Sequence, residues 1–183
     1  LLTRQLDAIA QAAEARDDKA STWVMAPMVA TSTEAQWFAN LCRERGLTAG
    51  AMIEVPAAAL MADKIMPHLD FVSIGTNDLT QYTMAADRLS PQLAYLTDPW
   101  QPAVLRLIQH TCIAGHEYNV PVGVCGEAAA DPLLACVLTG LGVNSLSAAS
   151  TAVAGVGAQL AELTFDQCQQ LADAALNSEG PSA

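Results

Sequence analysis

The stretch Phe71-Val-Ser-Ile-Gly-Thr-Asn-Asp-Leu79 carries the pattern that decides the fold. Its first half, Phe71 to Ile74, is a short and largely apolar run, which is typical of a strand in a parallel sheet covered on both faces. Its second half places the polar residues Asn77 and Asp78 where a helix would begin. The stretch therefore predicts a strand whose carboxyl end leads through polar side chains into a helix.

Similar apolar runs recur along the chain, with helical patterns between them. Five strands are predicted: residues 23–29, 49–53, 71–74, 120–124 and 143–146. Strand–helix alternation of this kind indicates a parallel sheet, which is either open or closed into a barrel. A complete (β/α) barrel has eight strands in about 250 residues, whereas this sequence has 183 residues. The pattern by itself leaves two folds open, a small open sheet and part of a barrel.

The predicted helices have recognisable boundaries. Capping boxes, in which a threonine and a Glu or Gln three residues later bond each other's backbone, begin at Thr31 and Thr164. Prolines open three further predicted helices, where a missing N–H costs least: Pro56, Pro102 and Pro132. Because the last helix is predicted to end near Leu176, the domain is predicted to cover residues 1–176, with a flexible tail at 177–183.

The composition is that of one globular domain, with 52% hydrophobic and 15% charged residues. The formal net charge of −11 disfavours nucleic acid and anionic membrane surfaces as partners. The five cysteines are odd in number and lack the C-x-x-C spacing, which argues against a disulfide framework or a zinc site. Together with the lack of a signal-peptide pattern in the first residues, this predicts a reducing, cytoplasmic location.

Side chains suited to chemistry follow three of the predicted strands. They are Glu54 after the second strand, Asn77 and Asp78 after the third, and Cys125 after the fourth. In parallel α/β folds the carboxyl ends of the strands meet on one face, so we expect these side chains to lie together. Two neighbouring carboxylates repel each other unless a cation or a proton lies between them, and oxygen ligands on a rigid edge suit Mg²⁺. Glu54 and Asp78 are therefore candidate Mg²⁺ ligands.

If the protein binds a small anion at the same edge, local cations or a metal must overcome the field of the acidic net charge. A bound Mg²⁺ would reverse the local field, and helix N-termini near Asn77 and Gly126 would offer backbone N–H donors. Arg88 follows Asp78 by one helix length, and its guanidinium is suited to pair with a phosphate through two parallel hydrogen bonds. These features would suit a phosphate-bearing anion if the chain binds one.

Several motifs, taken in order, resemble one enzyme family. They are Met52-Ile-Glu-Val-Pro-Ala57, Ser73-Ile-Gly-Thr-Asn-Asp-Leu-Thr-Gln-Tyr82, Asp87-Arg88, Gly123-Val-Cys-Gly-Glu127 and Ser145-Leu-Ser147. They are similar to the phosphoenolpyruvate-utilising enzymes, and most similar to Enzyme I of the bacterial sugar phosphotransferase system, the phosphoenolpyruvate–protein phosphotransferases. The resemblance implies a partial TIM-like (β/α) barrel, with about five C-terminal parallel strands and flanking helices.

The resemblance also implies a role for each candidate residue. Glu54 and Asp78 would hold Mg²⁺, and Asn77 with Asp78 would seat phosphoenolpyruvate (PEP). Arg88 would bind its phosphate, and Cys125 would protonate the methylene carbon of the departing enolate to give pyruvate. In the whole enzyme the phosphoryl group passes to a protein histidine and then to the histidine phosphocarrier protein. The resemblance further implies a homodimer.

Parts of the family's pattern are not found in this sequence. The phosphorylated histidine lies on another domain in the family, and none of His68, His110 and His116 has its context. The fragment alone is therefore expected to be inactive. Two alternatives stay open. One is the barrel of a pyruvate phosphate dikinase or phosphoenolpyruvate synthase, and the other is a non-catalytic ligand-binding or dimerisation fragment.

For the remaining notable residues a plain structural role is preferred. The other four cysteines lie in predicted helices beside apolar neighbours and are predicted to be core fillers. Trp100 and Tyr95, on either side of Pro99 and close to it, are predicted either to line the loop beside the site or simply to pack.

Overall fold

A computed structural model describes residues 1–17 and 20–181, and these residues form an α/β fold. The sheet has five strands, all parallel and arranged side by side in the order of the sequence. They are β1 Trp23–Ala26, β2 Thr48–Ile53, β3 Phe71–Gly75, β4 Val122–Cys125 and β5 Ser145–Ser147. In a (β/α) barrel, each strand lies parallel to the next strand of the sequence, as it does here. Because the sheet is not closed, the predicted partial barrel is confirmed.

Helices connect the strands and flank the sheet. In the described part of the chain they are α1 Leu2–Glu14, α2 Ser32–Arg43, α3 Pro56–Leu60, α4 Ala62–Ile65, α5 Thr76–Thr83, α6 Pro102–Tyr118, α7 Pro132–Gly140, α8 Ser150–Ala161 and α9 Phe165–Leu176. Both predicted capping boxes are present, at Thr31 and Thr164. The three predicted prolines begin α3, α6 and α7. Within residues 1–17 and 20–181, no helix has the length and apolar character needed to cross a bilayer.

The C-terminal boundary of the last helix agrees with its prediction. α9 ends at Leu176, and Arg106 Nη2 on α6 donates a hydrogen bond to the carbonyl oxygen of Leu176 at 3.0 Å. Ser182 and Ala183, which belong to the predicted tail, lie outside the described residues. The flexibility of the tail therefore stays a prediction.

The first strand ends earlier than its apolar run predicts. β1 stops at Ala26, whereas the run continues to Val29. Pro27 has no N–H to donate to a neighbouring strand, and Met28 has a positive φ of 55°. The backbone N–H of Met28 instead donates to Glu54 Oε1 at 2.7 Å. The chain therefore leaves the sheet at the point where it meets a predicted site residue.

The core is formed by the central strands and the helices that cover them. Ile53, Ile74 and Val124 on β2, β3 and β4 are fully buried, and Leu105 and Ile108 of α6 belong to the same cluster. Burying each such side chain contributes about 1.5–3 kcal/mol to folding. No residue of β1 or β5 is fully buried. The expectation of strands covered on both faces is therefore wrong for the two edges of the sheet, where each strand has a neighbour on one side.

Candidate active site

The carboxyl ends of β2, β3 and β4 form one edge of the sheet, and four predicted site residues lie there. Glu54 directly follows β2, and Asn77 and Asp78 lie in the first turn of α5, which directly follows β3. Cys125 is the last residue of β4 and pairs with Gly75 in the register of the sheet. We call Glu54, Asn77, Asp78 and Cys125 the strand-end site. Because the strands are parallel, these residues lie on the same edge of the sheet, as the sequence predicts.

Glu54 is a buried carboxylate, with 3% of the residue exposed. Its Oε1 accepts the hydrogen bond from the Met28 N–H at 2.7 Å. Its Oε2 lies over Gly75, where a Cβ atom would come within 2.6 Å of it, so a glycine is needed to leave space for the carboxylate. Glu54 forms no ion pair with any described residue. Because a buried charge is costly without compensation, this position favours a bound cation.

Asn77 and Asp78 lie where the first backbone N–H groups of α5 have no partner within the helix. Asn77 Oδ1 accepts a hydrogen bond from the Glu127 N–H at 3.3 Å. This bond uses the acceptor oxygen of the amide and leaves its N–H donors for a ligand. The Asp78 carboxylate is half-buried, and residues 1–17 and 20–181 offer it no hydrogen-bond donor or cation within bonding distance.

Cys125 differs from the other cysteines in its accessibility. It is half-buried, whereas Cys42, Cys112, Cys136 and Cys168 are buried. Its Sγ–H donates a weak hydrogen bond to the carbonyl oxygen of Ile74 on β3, at 3.5 Å. Burial raises the pKa of the Cys112 thiol to about 12, and burial also raises the pKa of Cys42 and Cys136. Cys125 is therefore the thiol that is placed for chemistry at the strand-end site.

Thr76 holds the end of β4 in place. Its side chain is buried, with 2% of the residue exposed, and its Oγ1 donates to the carbonyl oxygen of Cys125 at 2.9 Å. Gly126 follows with a φ of 92°, and a Cβ there would come within 2.8 Å of Thr76 Oγ1. The turn after Cys125 thus packs closely against the start of α5. Sequence reasoning does not identify Thr76, because the residue it contacts, Cys125, lies 49 residues away. The signal that the sequence offers is the position of Thr76 between a predicted strand and a predicted helix.

Arg88 lies beyond the end of α5 and is exposed. Its backbone N–H donates to Gln81 Oε1 at 3.3 Å, and the Gln81 carbonyl accepts from the Ala86 N–H at 3.0 Å. The guanidinium makes no hydrogen bond or ion pair with the residues that the structure describes, so no direct bond joins it to the strand-end site. The position of Arg88 is therefore set through its backbone and the segment that carries it.

The strand-end site supplies few groups for a metal ion. In the described ranges, 1–17 and 20–181, no cluster of three or more His, Cys, Asp or Glu side chains could hold a metal. A closed zinc site, which needs four protein ligands, therefore does not fit these residues. Glu54 and Asp78 offer carboxylate oxygens, which are the ligand type that Mg²⁺ takes, since this ion needs only one or two carboxylates and completes its shell with water and substrate oxygens.

A cavity of about 520 Å³ lies elsewhere, between α6, α7 and α9. It borders Val120 and Pro121, which precede β4, and so it lies at the opposite end of this strand from Cys125. None of the residues of the strand-end site lines it. The strand-end site and this cavity therefore lie at different ends of the sheet.

The fold and the strand-end site define a parallel (β/α) domain with its candidate active site at the carboxyl ends of the strands. A solved citrate lyase from Burkholderia xenovorans has the same fold, with a TM-score of 0.65 at 15% identity. The match covers 94% of this chain and 58% of that protein. At this identity the likeness shows the fold alone.

The sequence relatives show the family. The family described as PEP-utilising enzyme, PEP-binding domain, matches residues 1–165. A phosphoenolpyruvate-protein phosphotransferase from Streptomyces coelicolor is 51% identical over 177 residues, which are 96% of this chain and 32% of that protein. A multiphosphoryl transfer protein from Xanthomonas campestris pv. campestris is 44% identical over 98% of this chain and 22% of its own length.

The chain therefore belongs to the family of PEP-utilising enzymes, as a PEP-binding domain. The resemblance to the phosphoenolpyruvate–protein phosphotransferases, inferred from the motifs around Glu54, Asp78 and Cys125, is confirmed by relatives of that name. The chain spans about a third of the length of the Streptomyces relative, as the 32% coverage states.

Proposed function

We propose that this domain supplies the PEP and Mg²⁺ site of a phosphoenolpyruvate–protein phosphotransferase. The whole enzyme would transfer the phosphoryl group of PEP to a protein histidine, as the first step of the sugar phosphotransferase system. The observation that carries this proposal is the strand-end site, where an accessible thiol, an amide and two carboxylates share one edge of the sheet. The relative at 51% identity is named a phosphoenolpyruvate-protein phosphotransferase, which supports transfer from PEP to a protein.

Glu54 and Asp78 are the proposed Mg²⁺ ligands. The support from the structure is that Glu54 is buried at 3% exposure and that, among the described residues, it accepts a hydrogen bond from the Met28 N–H and pairs with no cation. Asp78 lies at the neighbouring strand end and keeps its carboxylate for a ligand. When bound, Mg²⁺ acts as a Lewis acid that stabilises negative charge on substrate oxygens.

The phosphate of PEP is proposed to bind at the N-terminus of α5. The partnerless backbone N–H groups there and the helix dipole favour an anion. The Asn77 amide adds N–H donors, because its oxygen is already bonded to the Glu127 N–H. Arg88 is proposed to close over the phosphate from the segment that follows α5, since its guanidinium has no partner in the described part of the chain. Phosphoryl transfer depends mostly on such positioning and charge neutralisation.

Cys125 is the proposed acid that completes the reaction. Transfer breaks the bond between phosphorus and the enol oxygen of PEP and forms a bond to a histidine nitrogen, which leaves the enolate of pyruvate. The thiol gives its proton to the methylene carbon of this enolate, yielding pyruvate, and the thiolate is reprotonated from water. The structure supports this role because Cys125 is the accessible one of the five cysteines and lies at the carboxyl end of β4.

The partners of the whole protein are part of the same proposal. The acceptor histidine would lie on another domain of the full-length protein, and the phosphoryl group would pass on to the histidine phosphocarrier protein in the cytoplasm. We further propose that the enzyme is a homodimer, as the resemblance implies.

The test uses the full-length protein that contains this domain. Incubated with Mg²⁺ and PEP labelled with ³²P, it should release pyruvate, detected with lactate dehydrogenase, and gain an acid-labile phosphohistidine. Repeated turnover should require the histidine phosphocarrier protein. The Cys125→Ala variant is the matched control for the site, since it should bind PEP without making pyruvate.

Two results would contradict the proposal. If pyruvate formation required AMP together with pyrophosphate, the protein would be a dikinase, and if it required AMP together with inorganic phosphate, it would be a synthase. If PEP bound but no phosphoryl group left it, with or without the phosphocarrier protein, the non-catalytic alternative would hold.

A further inference from the structure

The carboxylate of Asp131 makes two different connections with its two oxygens. Oδ1 accepts from the backbone N–H groups of Leu133 and Leu134, at 2.9 and 3.1 Å, and so caps the N-terminus of α7. Oδ2 accepts a hydrogen bond from the indole Nε1–H of Trp100 at 3.2 Å. Helix capping explains the first connection, while the second joins two separate parts of the chain.

The two parts that this bond joins each lead to a proposed site residue. Trp100 is the last residue but one of segment 84–101, which carries Arg88 between α5 and α6. Asp131 ends the 3₁₀ turn Glu127–Ala130, which begins directly after Cys125 and Gly126. The Trp100–Asp131 bond therefore connects the segment that carries Arg88, the proposed phosphate ligand, to the turn that follows Cys125, the proposed proton donor.

Segment 84–101 is largely exposed between its two ends. Leu89 and Tyr95 expose 83% and 69% of their surface. Its first end is held by Gln81, which bonds the backbone N–H of Arg88 at 3.3 Å. Its last end is held by Gln101, whose side chain donates to the Tyr95 carbonyl at 3.0 Å, and by Trp100.

Trp100 is the anchor that joins this segment to the part of the chain that follows β4. It is half-buried and packs against the main core cluster, while its Nε1–H crosses to Asp131. The side chain of Gln101 bonds within the segment, to the Tyr95 carbonyl, so it shapes the segment without joining it to the turn that follows Cys125.

We propose that Trp100 and Asp131 are positioning residues, whose hydrogen bond fixes the Arg88 segment against the turn that follows Cys125. This inference rests on the proposed function, because Arg88 matters only if it binds the phosphate of PEP. Without the bond, Arg88 spends less time where the phosphate binds, and PEP binding weakens. The proton donor itself stays in place, since Thr76 holds the Cys125 carbonyl independently.

Two substitutions remove this bond with little other change. Asp131→Asn keeps an oxygen that caps α7, because asparagine is as good an N-cap as aspartate, but its amide can present an N–H to the indole. Trp100→Phe removes the indole donor and keeps an aromatic ring. Trp37→Phe is the matched control, since Trp37 is 57% exposed on α2.

In the full-length protein, each variant should raise the KM for PEP about three- to tenfold, the range that corresponds to the net loss of one typical hydrogen bond. The kcat should change less than about twofold, because the chemistry at Cys125 is untouched. The double variant should be no worse than the more affected single one, since both remove the same bond. Trp37→Phe should leave KM and kcat unchanged.

A second measurement does not depend on activity. Trypsin should cleave after Arg88 faster in Trp100→Phe and in Asp131→Asn than in the wild type or in Trp37→Phe, with melting temperatures close to that of the wild type. Additive effects on KM, or cleavage at the wild-type rate, would overturn the inference. A wild-type protein that fails to use PEP would instead contradict the proposed function, and the trypsin result would still stand for or against the anchoring bond.

Discussion

Replacing Thr76 by valine removes a single hydrogen bond and almost nothing else. Valine has nearly the shape of threonine, so the buried site, with 2% of Thr76 exposed, gains no cavity. What is lost is the donor to the Cys125 carbonyl at 2.9 Å. The net loss of a neutral hydrogen bond is about 1 kcal/mol, and it rises to about 3 kcal/mol when a buried acceptor is left without a partner. We expect the free energy of unfolding to fall by an amount in this range.

The effect on catalysis should exceed the effect on stability. Cys125 is the last residue of β4, and its pairing with Gly75 is the last one between β3 and β4. The hydrogen bond from the Thr76 hydroxyl to the Cys125 carbonyl extends this contact past the end of the two strands. Small displacements of a catalytic group by fractions of an ångström reduce rates strongly, and a shift of 1 Å costs about a hundredfold. We therefore expect the kcat for pyruvate formation to fall by about tenfold or more in Thr76→Val. The KM for PEP should change little.

The assay is pyruvate formation by the full-length protein, measured beside urea unfolding of the same preparations. Thr111→Val is the matched control, because Thr111 is fully buried and its Oγ1 donates to the Leu107 carbonyl at 2.8 Å within α6. This control should lose stability without losing kcat. Thr76→Ser keeps the hydroxyl and should restore most of the activity. Equal kcat values for Thr76→Val and Thr111→Val would refute the reasoning that Thr76 positions the thiol.

Three further predictions concern the strand-end site in the full-length protein. Asp78→Ala should abolish Mg²⁺-dependent transfer with an unchanged melting temperature, whereas the control Asp166→Ala, in the first turn of α9, should stay active. Unaltered Mg²⁺ dependence in Asp78→Ala would exclude Asp78 as a ligand. Cys125→Ser should bind PEP normally but release pyruvate far more slowly. In the wild type, mass spectrometry should find Cys125 alkylated first, because the other four cysteines are buried, and PEP with Mg²⁺ should slow this alkylation. Gly75→Ala would place a Cβ within 2.6 Å of Glu54 Oε2 and so displace this carboxylate. The Mg²⁺ concentration for half-maximal activity should therefore rise about tenfold or more. An unchanged value would contradict the role of Glu54 as a ligand.

The elements of the fold were predictable because their causes are local. The apolar run of β3, the capping boxes at Thr31 and Thr164, and the proline that opens α6 each act within a few residues of the chain. The end of α9 at Leu176 could be read in the same way. The strand ends that carry Glu54, Asp78 and Cys125 followed from these elements, since parallel strands bring their carboxyl ends to one edge.

The environment of those residues was decided by the tertiary structure. The Met28 N–H meets Glu54 across 26 residues, Trp100 meets Asp131 across 31, and Thr76 meets Cys125 across 49. Each bond depends on the donor and acceptor meeting within about 3 Å and in line, and that geometry exists only after the parallel strands have aligned and the helices have packed. The residue types at the strand-end site are thus a property of the sequence. Their partners, their burial and the direction of the Cys125 proton arise from contacts between segments that the connecting helices separate along the chain.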